Sequence, residues 1–217
     1  MSIMEKQIRE TIRYLGYGKH EVDDATFQMI LECMEELTRI INPRIISKSF
    51  PLTFMGCDEL SIGEMVVQSK NLSKNLAGCE KIILLAATIG VEADRIMKRY
   101  SLTDMARVVV LQACGAALLE QFIDECQFEI QRKVANEGYY LRPRFSPGYG
   151  DFSIEHQKQI LQMLNAAKEI GVSSTESSML TPTKSVTALI GLSKSNQKCH
   201  PSGCEACQKY DCIYRRC

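Results

Sequence analysis

The sequence predicts an α+β fold, in which mixed helices surround a twisted antiparallel sheet and a cysteine-rich C-terminal tail follows. Helical periodicity and short β-branched or apolar runs succeed one another without the regular strand–helix alternation of doubly wound proteins. The 217 residues are enough to bury a sizeable core, and 45% apolar with 24% charged residues is typical of globular domains. The composition changes near Ser195, so we predict a folded region at 1–195 and a metal-binding tail at 196–217.

The first half of the chain predicts helices and strands in mixed order. Apolar residues at helical spacing indicate a helix over 3–15 and a second helix that Asp23 or Asp24 can cap. Asn42-Pro43 ends this second helix, because the residue before a proline avoids the helical conformation. The further predicted elements are a strand at 44–54, a helix near 64–77 within an ambiguous stretch, a strand at 81–88 and a helix at 91–99.

The second half is dominated by a proline-free periodic segment at 103–136. Its middle is apolar nearly all round, which predicts a central helix covered by other elements. A straight helix of this length would span about 50 Å at about 1.5 Å per residue, so a break near Cys114-Gly115 is expected. The remaining predictions are a loop at 139–152, a helix at 153–169 with Ser153 as N-cap, and strands near 171–180 and 184–193.

Charge and motifs exclude several classes of function. A net charge of zero argues against a nucleic-acid partner, because phosphate binding requires a basic face. No uninterrupted apolar run reaches the roughly 18 residues of a membrane span, and the charged N-terminus has no secretory apolar segment. We therefore expect a soluble, cytoplasmic protein. Phosphate-binding glycine motifs and the H-E-x-x-H zinc motif are absent, and His156 is expected to face solvent.

The loop at 139–152 is the first candidate site. It holds two Arg, two Pro, two Gly, three Tyr and two Phe within 14 residues. Arg144 offers a planar fork for a carboxylate or phosphate, and Pro147-Gly148 lets the backbone approach a ligand closely. Tyr149 and Phe145 offer rings on which an adenine could stack or a cation could rest. The alternative is a rigid surface turn between two helices.

Two carboxylates are further candidates. Glu120 lies in the apolar part of the long helix, where a buried charge needs a partner or a ligand amine. It could equally point to solvent or pair with a basic side chain. Glu176 lies on a predicted strand beside small hydroxyl residues, where it is either a structural carboxylate or part of a polar pocket.

The cysteines fall into two groups. Five are scattered among mostly apolar neighbours and are expected to act as small buried hydrophobes: Cys33, Cys57, Cys79, Cys114 and Cys126. Five crowd the tail with the spacing C-x4-C-x2-C-x4-C-x4-C: Cys199, Cys204, Cys207, Cys212 and Cys217. In a reducing cytosol such density predicts a zinc ion or an iron–sulfur cluster, and the alternative is a flexible, partly oxidised tail.

Two blocks of sequence resemble the activation (reactivation) domain of cobalamin (vitamin B12)-dependent methionine synthase. The segment 144–149, RFSPGY, is similar to that domain's R-P-A-P-G-Y loop. The segment 171–186 is similar to its G-(x)n-T-E-S-x-x-M-x-P-x-x-S-V stretch, and Ala87 to Gly90 are similar in character to an upstream part. The resemblance covers roughly residues 20–193.

This resemblance implies an α+β fold that binds S-adenosylmethionine in a shallow cleft. In that family the domain docks on a cobalamin domain and supports one-electron reduction and methyl transfer, which restores methylcobalamin after oxidation. Arg144 and the backbone of Pro147, Gly148 and Tyr149 would then hold the methionine moiety and the adenosine. Glu120 would face the amino group or ribose of the ligand, and Ser146 and Glu176 complete the predicted binding set.

Three departures from the family pattern shape the functional prediction. The chain has no folate, homocysteine or cobalamin module, so it is expected to act on a separate cobalamin-dependent methionine synthase or corrinoid methyltransferase as its reactivation component. Ala188-Leu189-Ile190 stand where the family places a tyrosine near the ligand. The tail replaces a further helical segment, and an iron–sulfur cluster there would supply electrons in place of an external flavodoxin or ferredoxin. The alternative function is a zinc or iron–sulfur interaction module with a vestigial nucleotide pocket.

Overall fold

The computed structural model describes residues 3–18 and 20–196. Its helices are α1 (Ile3–Tyr14), α2 (Asp24–Ile40), α3 (Lys70–Asn75), α4 (Glu92–Tyr100), α5 (Met105–Ala135), α6 (His156–Leu164) and α7 (Ala166–Ile170). Its strands are β1 (Arg44–Gly56), β2 (Glu59–Ile62), β3 (Met65–Gln68), β4 (Cys79–Thr88), β5 (Tyr140–Leu141), β6 (Ser173–Ser174), β7 (Leu180–Thr181) and β8 (Ser185–Ser193). The main sheet has the order β3-β2-β1-β4-β8-β5, and each neighbouring pair in it is antiparallel. The predicted α+β fold is confirmed.

The described residues divide into two compact units. The first contains 3–18, 20–43 and 89–124, and the second contains 44–88 and 125–196. The predicted division into 1–195 and a tail at 196–217 stays a prediction, because residues 197–217 lie outside the described part of the chain.

The first unit is helical, and its helix boundaries follow the sequence signals. Asp23 caps α2 as predicted, since its Oδ1 accepts a hydrogen bond from the Thr26 N–H at 2.9 Å. Arg107 of α5 pairs with Glu32 of α2 at 2.6 Å. Cys33 and Cys114 are buried, as expected of scattered cysteines, and burial raises the pKa of these thiols to about 11 and about 12.

Helix α5 is continuous, so the expected break near Cys114-Gly115 is wrong. Within the described ranges it is the one helix long and apolar enough, by length and composition, to cross a membrane. Half of its most apolar stretch is buried inside the protein, and core helices of soluble proteins pass the same test. The glycine at 115 is tolerated because its neighbours on both sides are good helix formers or buried apolar residues.

The second unit is built around strand β4, which is buried without interruption from Ile82 to Thr88. One face of the sheet packs against α6 and α7 through a large apolar cluster that includes Leu84, Leu161 and Leu189. The other face packs against the last turns of α5 through Val134 and its neighbours. A strand that is covered on both faces has a continuous apolar sequence. The run KIILLAAT at 81–88 therefore predicts a buried strand, as observed.

Three predicted elements are wrong in detail. The helix predicted at 64–77 is replaced by strand β3 and the short helix α3, which Ser69 caps. The helix predicted at 153–169 begins at His156, after a turn in which Ser153 Oγ accepts a hydrogen bond from the Glu155 N–H at 3.3 Å. Asn165 in the left-handed conformation (φ 58°) divides the predicted helix into α6 and α7. The strand predicted at 171–180 is confined to two-residue pairings at its ends.

Replacement of Gly191 by alanine is expected to lower the free energy of unfolding by about 1–3 kcal/mol, because it overpacks the second unit. A Cβ at Gly191 would lie 2.5 Å from Cys79 Sγ and 2.8 Å from Leu76 Cδ2. The matched control is Gly56→Ala, where a Cβ meets nothing within 4 Å. Urea denaturation of both variants checks this, and equal stabilities would contradict it.

Candidate functional site

The candidate loop is fixed to strand β8 by main-chain hydrogen bonds. The Arg142 N–H donates to Gly191 O at 2.8 Å. Phe145 and Leu189 then exchange two bonds, from Phe145 N–H to Leu189 O at 2.9 Å and from Leu189 N–H to Phe145 O at 2.8 Å. Because these bonds are backbone to backbone, the position of the segment between them does not depend on flexible side chains.

The two arginines of this segment have different environments. Arg142 is buried, and its Nη2 donates to Ala77 O at 3.2 Å and lies 3.5 Å from Ser193 Oγ. Arg144 is half-buried, and its Nη1 donates to Gln127 Oε1 at 2.9 Å. Arg142 therefore holds the loop against the sheet, and Arg144 contacts α5 through Gln127.

The turn at 146–151 is closed by local bonds and anchored by one carboxylate. Gly148 N–H donates to Phe152 O at 2.8 Å, and Gly148 has a φ of 92°, which favours glycine. Asp151 accepts hydrogen bonds from Ser69 Oγ and from the N–H groups of residues 70 and 71 at the start of α3. These bonds, led by that from Ser69, lower the pKa of the Asp151 carboxyl.

A row of aromatic ring contacts runs through the turn and its flanking residues. The Tyr149 side chain is 62% exposed, and its ring meets the ring of Phe145 edge-on at 6.3 Å. Phe145 lies 6.3 Å from the buried Phe152, which stacks on His156 at 5.2 Å. The expectation that His156 faces solvent is therefore wrong: the side chain is half-buried, and burial lowers its pKa.

The remaining predicted site residues lie in different surroundings. Ser146 is half-buried and Pro147 is buried within the turn. Glu120 is half-buried on α5, in the first unit. Residues 188–190, which stand where the family pattern has its tyrosine, are buried in β8. Of the predicted site residues, Arg144 and residues 146–149 therefore belong to one continuous segment.

Glu176 belongs to a separate cleft of the second unit, between α6 and the segment that follows α7. The cleft has a volume of about 530 Å³, and none of its lining residues comes from 142–149. Lys158 Nζ donates to the main-chain oxygen of Glu176 at 3.0 Å, while the Glu176 residue is exposed. Leu161 and Val172 supply apolar walls.

Two functional contacts escaped the sequence analysis. Gln127, which holds Arg144, lies on the helix before the loop, and Asp151, which anchors the turn, bonds to residues about 80 positions away. Neither residue has a sequence signal for its contact. The partners of Asp151 are distant in the chain, and a polar residue on a helix, such as Gln127, is ordinary.

The described residues contain no group of three or more His, Cys, Asp or Glu that could hold a metal ion. The five predicted ligands of the tail, Cys199, Cys204, Cys207, Cys212 and Cys217, lie outside the residues that the structure describes. Of the five scattered cysteines, Cys57 is exposed and Cys126 is half-buried, so these two depart from the expectation of burial.

Comparison with known proteins shows which class of protein has this fold. A crystal structure of the MetH reactivation domain bound to AdoHcy has a similar fold, with a TM-score of 0.62 and 18% sequence identity over 88% of this chain and 77% of that chain. A search of curated proteins finds no match. The family model of the vitamin B12 dependent methionine synthase activation domain matches residues 59–209, and the chain belongs to this family.

The stability of the protein is expected to fall as the pH drops below about 6.5. Burial against Phe152 lowers the pKa of folded His156 from its ordinary value of 6.5, so the unfolded chain takes up the proton first and acid favours unfolding. The contribution of neutral His156 to the free energy of unfolding is complete above pH 6.5 and is lost as the pH falls through the pKa of His156 in the folded protein.

The variant His156→Phe keeps a stacked ring and cannot titrate. Its unfolding free energy should therefore depend less on pH between 5 and about 7 than that of the unmodified protein, while the two slopes agree above this range. Urea denaturation across this pH series measures the difference. Parallel curves over the whole range would show that His156 does not titrate with folding.

Proposed function

We propose that this chain binds S-adenosylmethionine and reactivates a cobalamin-dependent methionine synthase, or a related corrinoid methyltransferase, on a separate polypeptide. Membership of the activation-domain family supports this role. The AdoHcy bound to the MetH reactivation domain supports the class of ligand, because AdoHcy is S-adenosylmethionine without its transferable methyl group. The cytoplasm is the proposed compartment.

The proposal is carried by the segment 144–149, which is bonded to β8 at Phe145 and continues into the turn at 146–151. Its main-chain bonds to β8 present Arg144, the backbone of Gly148 and the exposed Tyr149 ring from one short segment. A guanidinium fits the carboxylate of the methionine moiety, and a tyrosine ring offers a face for adenine. Ser146 and Pro147 complete the turn, and Glu120 is proposed for the ligand amino group or ribose. Glu176, which lines the separate cleft beside α6, completes the proposed set.

The proposed role of the protein is positioning. The sulfonium carries its own leaving group, so methyl transfer needs orientation more than a general acid or base. Cobalamin on the partner would accept the methyl group after one-electron reduction. The electron donor is proposed to be an external flavodoxin or ferredoxin or, alternatively, an iron–sulfur cluster in the tail. The chain's own residues are proposed to hold the ligand in one orientation.

Calorimetric titration with S-adenosylmethionine tests the proposal directly. The unmodified protein should bind saturably, and Arg144→Ala should weaken binding by about 10- to 100-fold, because a charge-assisted bond to the ligand carboxylate is lost. Arg132→Ala is the matched control, since Arg132 is an exposed arginine of α5 that pairs with Glu129, three residues before it on the same helix. It should bind normally.

Two results would contradict the proposal. The first is an unmodified, folded protein that shows no heat of binding at millimolar S-adenosylmethionine. The second is an equal loss of affinity in both arginine variants, which would indicate a general charge effect.

We also propose that the tail holds a metal, on the basis of its thiol spacing: Cys199, Cys204, Cys207, Cys212 and Cys217. An iron–sulfur cluster would donate electrons, whereas zinc would be structural. Metal analysis of the protein as purified is expected to give about one zinc per chain if the tail binds zinc, and anaerobic reconstitution with iron and sulfide is expected to give a cluster absorbance band if it binds a cluster. Protein that retains neither would exclude the metal, and retained metal without nucleotide binding would favour an interaction module.

A further inference from the structure

We propose that the cleft beside α6 binds an extended peptide segment of a partner protein, which pairs with strand β6 through its main chain. The inference goes beyond the proposed binding of S-adenosylmethionine, because none of the residues that line the cleft comes from 142–149. Its observation is the main chain of Ser174, whose N–H and C=O face the cleft between neighbours that are already bonded.

The cleft has the shape of a groove between a helix and an extended stretch of chain. One wall is a single face of α6, because its residues recur at helical spacing: Lys158, Leu161, Gln162 and Asn165. The other wall is residues 172–176, which include β6. At about 3.3 Å per residue this wall is about 13 Å long, so the cleft accommodates about four residues of extended chain. Its volume of about 530 Å³ lies in the range of ligand clefts.

The hydrogen-bond pattern of β6 and β7 determines which main-chain groups face the cleft. Thr175 N–H donates to Met179 O at 2.8 Å. Ser174, the preceding residue, lies opposite Leu180. Hydrogen-bonded and non-hydrogen-bonded positions alternate along an antiparallel pair, so Ser174 occupies a non-hydrogen-bonded position. Its N–H and C=O therefore point away from β7, towards the side on which the cleft lies.

The same edge of this segment is bonded on both sides of Ser174. Val172 N–H donates to Ala166 O of α7 at 3.3 Å. Glu176 O accepts a hydrogen bond from Lys158 Nζ of α6 at 3.0 Å. Among the described residues, no hydrogen bond outside the pairing of β6 with β7 reaches the Ser174 N–H or C=O. One donor and one acceptor are thus presented together, which is what one residue of an added strand requires.

The side chains of the cleft indicate the chemistry of the bound segment. The buried residues Leu161 and Val172 line the cleft, so an apolar side chain of the segment packs there. Lys158 is exposed and forms no ion pair with the described residues, so its charge is complementary to an acidic residue of the segment. Glu176 lines the same end of the cleft and disfavours a second acidic residue. The segment is therefore mainly apolar, with one acidic residue at the Lys158 end.

Peptide selection on the full chain tests the inference. The probe is a library of random heptapeptides displayed on phage, and enriched sequences are synthesised and titrated by calorimetry. They should carry one acidic residue beside apolar residues and bind saturably. Ser174→Pro should weaken their binding about tenfold or more, because it removes the N–H that donates to the peptide. Proline is tolerated at an edge position whose N–H has no partner in the sheet. The matched control is Ser174→Ala, which removes the hydroxyl alone and should bind normally.

A second measurement leaves the protein unmodified. Methylation of each peptide nitrogen in turn should weaken binding about tenfold at the position that donates to Ser174 O, and by less at the other positions. The inference is overturned if no peptide is enriched, if Ser174→Pro binds as tightly as the unmodified protein, or if no N-methyl group weakens binding. Titration with S-adenosylmethionine separates this inference from the proposed function, because Ser174→Pro should bind that ligand as the unmodified protein does. Thermal unfolding of each variant confirms that the comparison is made on folded protein.

Discussion

The candidate site depends on the pairing of strand β8 with the chain on both of its sides. On one side β8 pairs with the buried β4, and on the other it bonds to β5 and to the segment that ends at Phe145. Gly191 makes the close approach feasible, because a Cβ there would lie 3.2 Å from the Arg142 side chain and closer still to Cys79. The register of β8 therefore fixes where Arg144 and the turn that follows are presented.

The elements that periodicity describes well could be predicted from the sequence. The capped helix α2, the apolar strand β4 and the long helix α5 follow from helical spacing, an apolar run and the absence of proline. The sequence predicts a helix in place of β3, because the strand's alternation covers only four residues. The helical spacing of Leu72 and Leu76, further along the predicted helix, is the stronger pattern. Its Met65 and Val67 are buried while Val66 is exposed, which is the alternation of a strand.

The polar contacts that shape the site are beyond the reach of a single sequence. Composition marked the loop at 139–152 as unusual, and resemblance to the family assigned Arg144 to Tyr149 a role. The partners of these residues come from elements distant in the chain: Asp151 caps α3, and Gln127 projects from α5. Such contacts follow from how α5 and α3 pack in the second unit, and hydrophobic periodicity carries no information about them.

The groups whose pKa is shifted are explained by structure. Burial raises the pKa of the Cys33 and Cys114 thiols. Hydrogen bonds at the start of α3 lower the pKa of the Asp151 carboxyl, and burial beside Phe152 lowers the pKa of His156. Perturbed pKa values often mark acid–base catalysts, but each of these groups has a packing or capping role that accounts for its shift.

One departure from the family motif concerns the residue that follows Arg144. Phe145 stands where the R-P-A-P-G-Y pattern has a proline, and a proline has no N–H to donate. In this chain Phe145 N–H bonds to Leu189 O at 2.9 Å, and its ring supports Tyr149 from one side and meets Phe152 on the other. The loop thus replaces the stiffness of a proline ring with a main-chain bond and an aromatic contact. Both solutions restrict the backbone next to Arg144, and a restricted backbone is what the proposed positioning of a ligand needs.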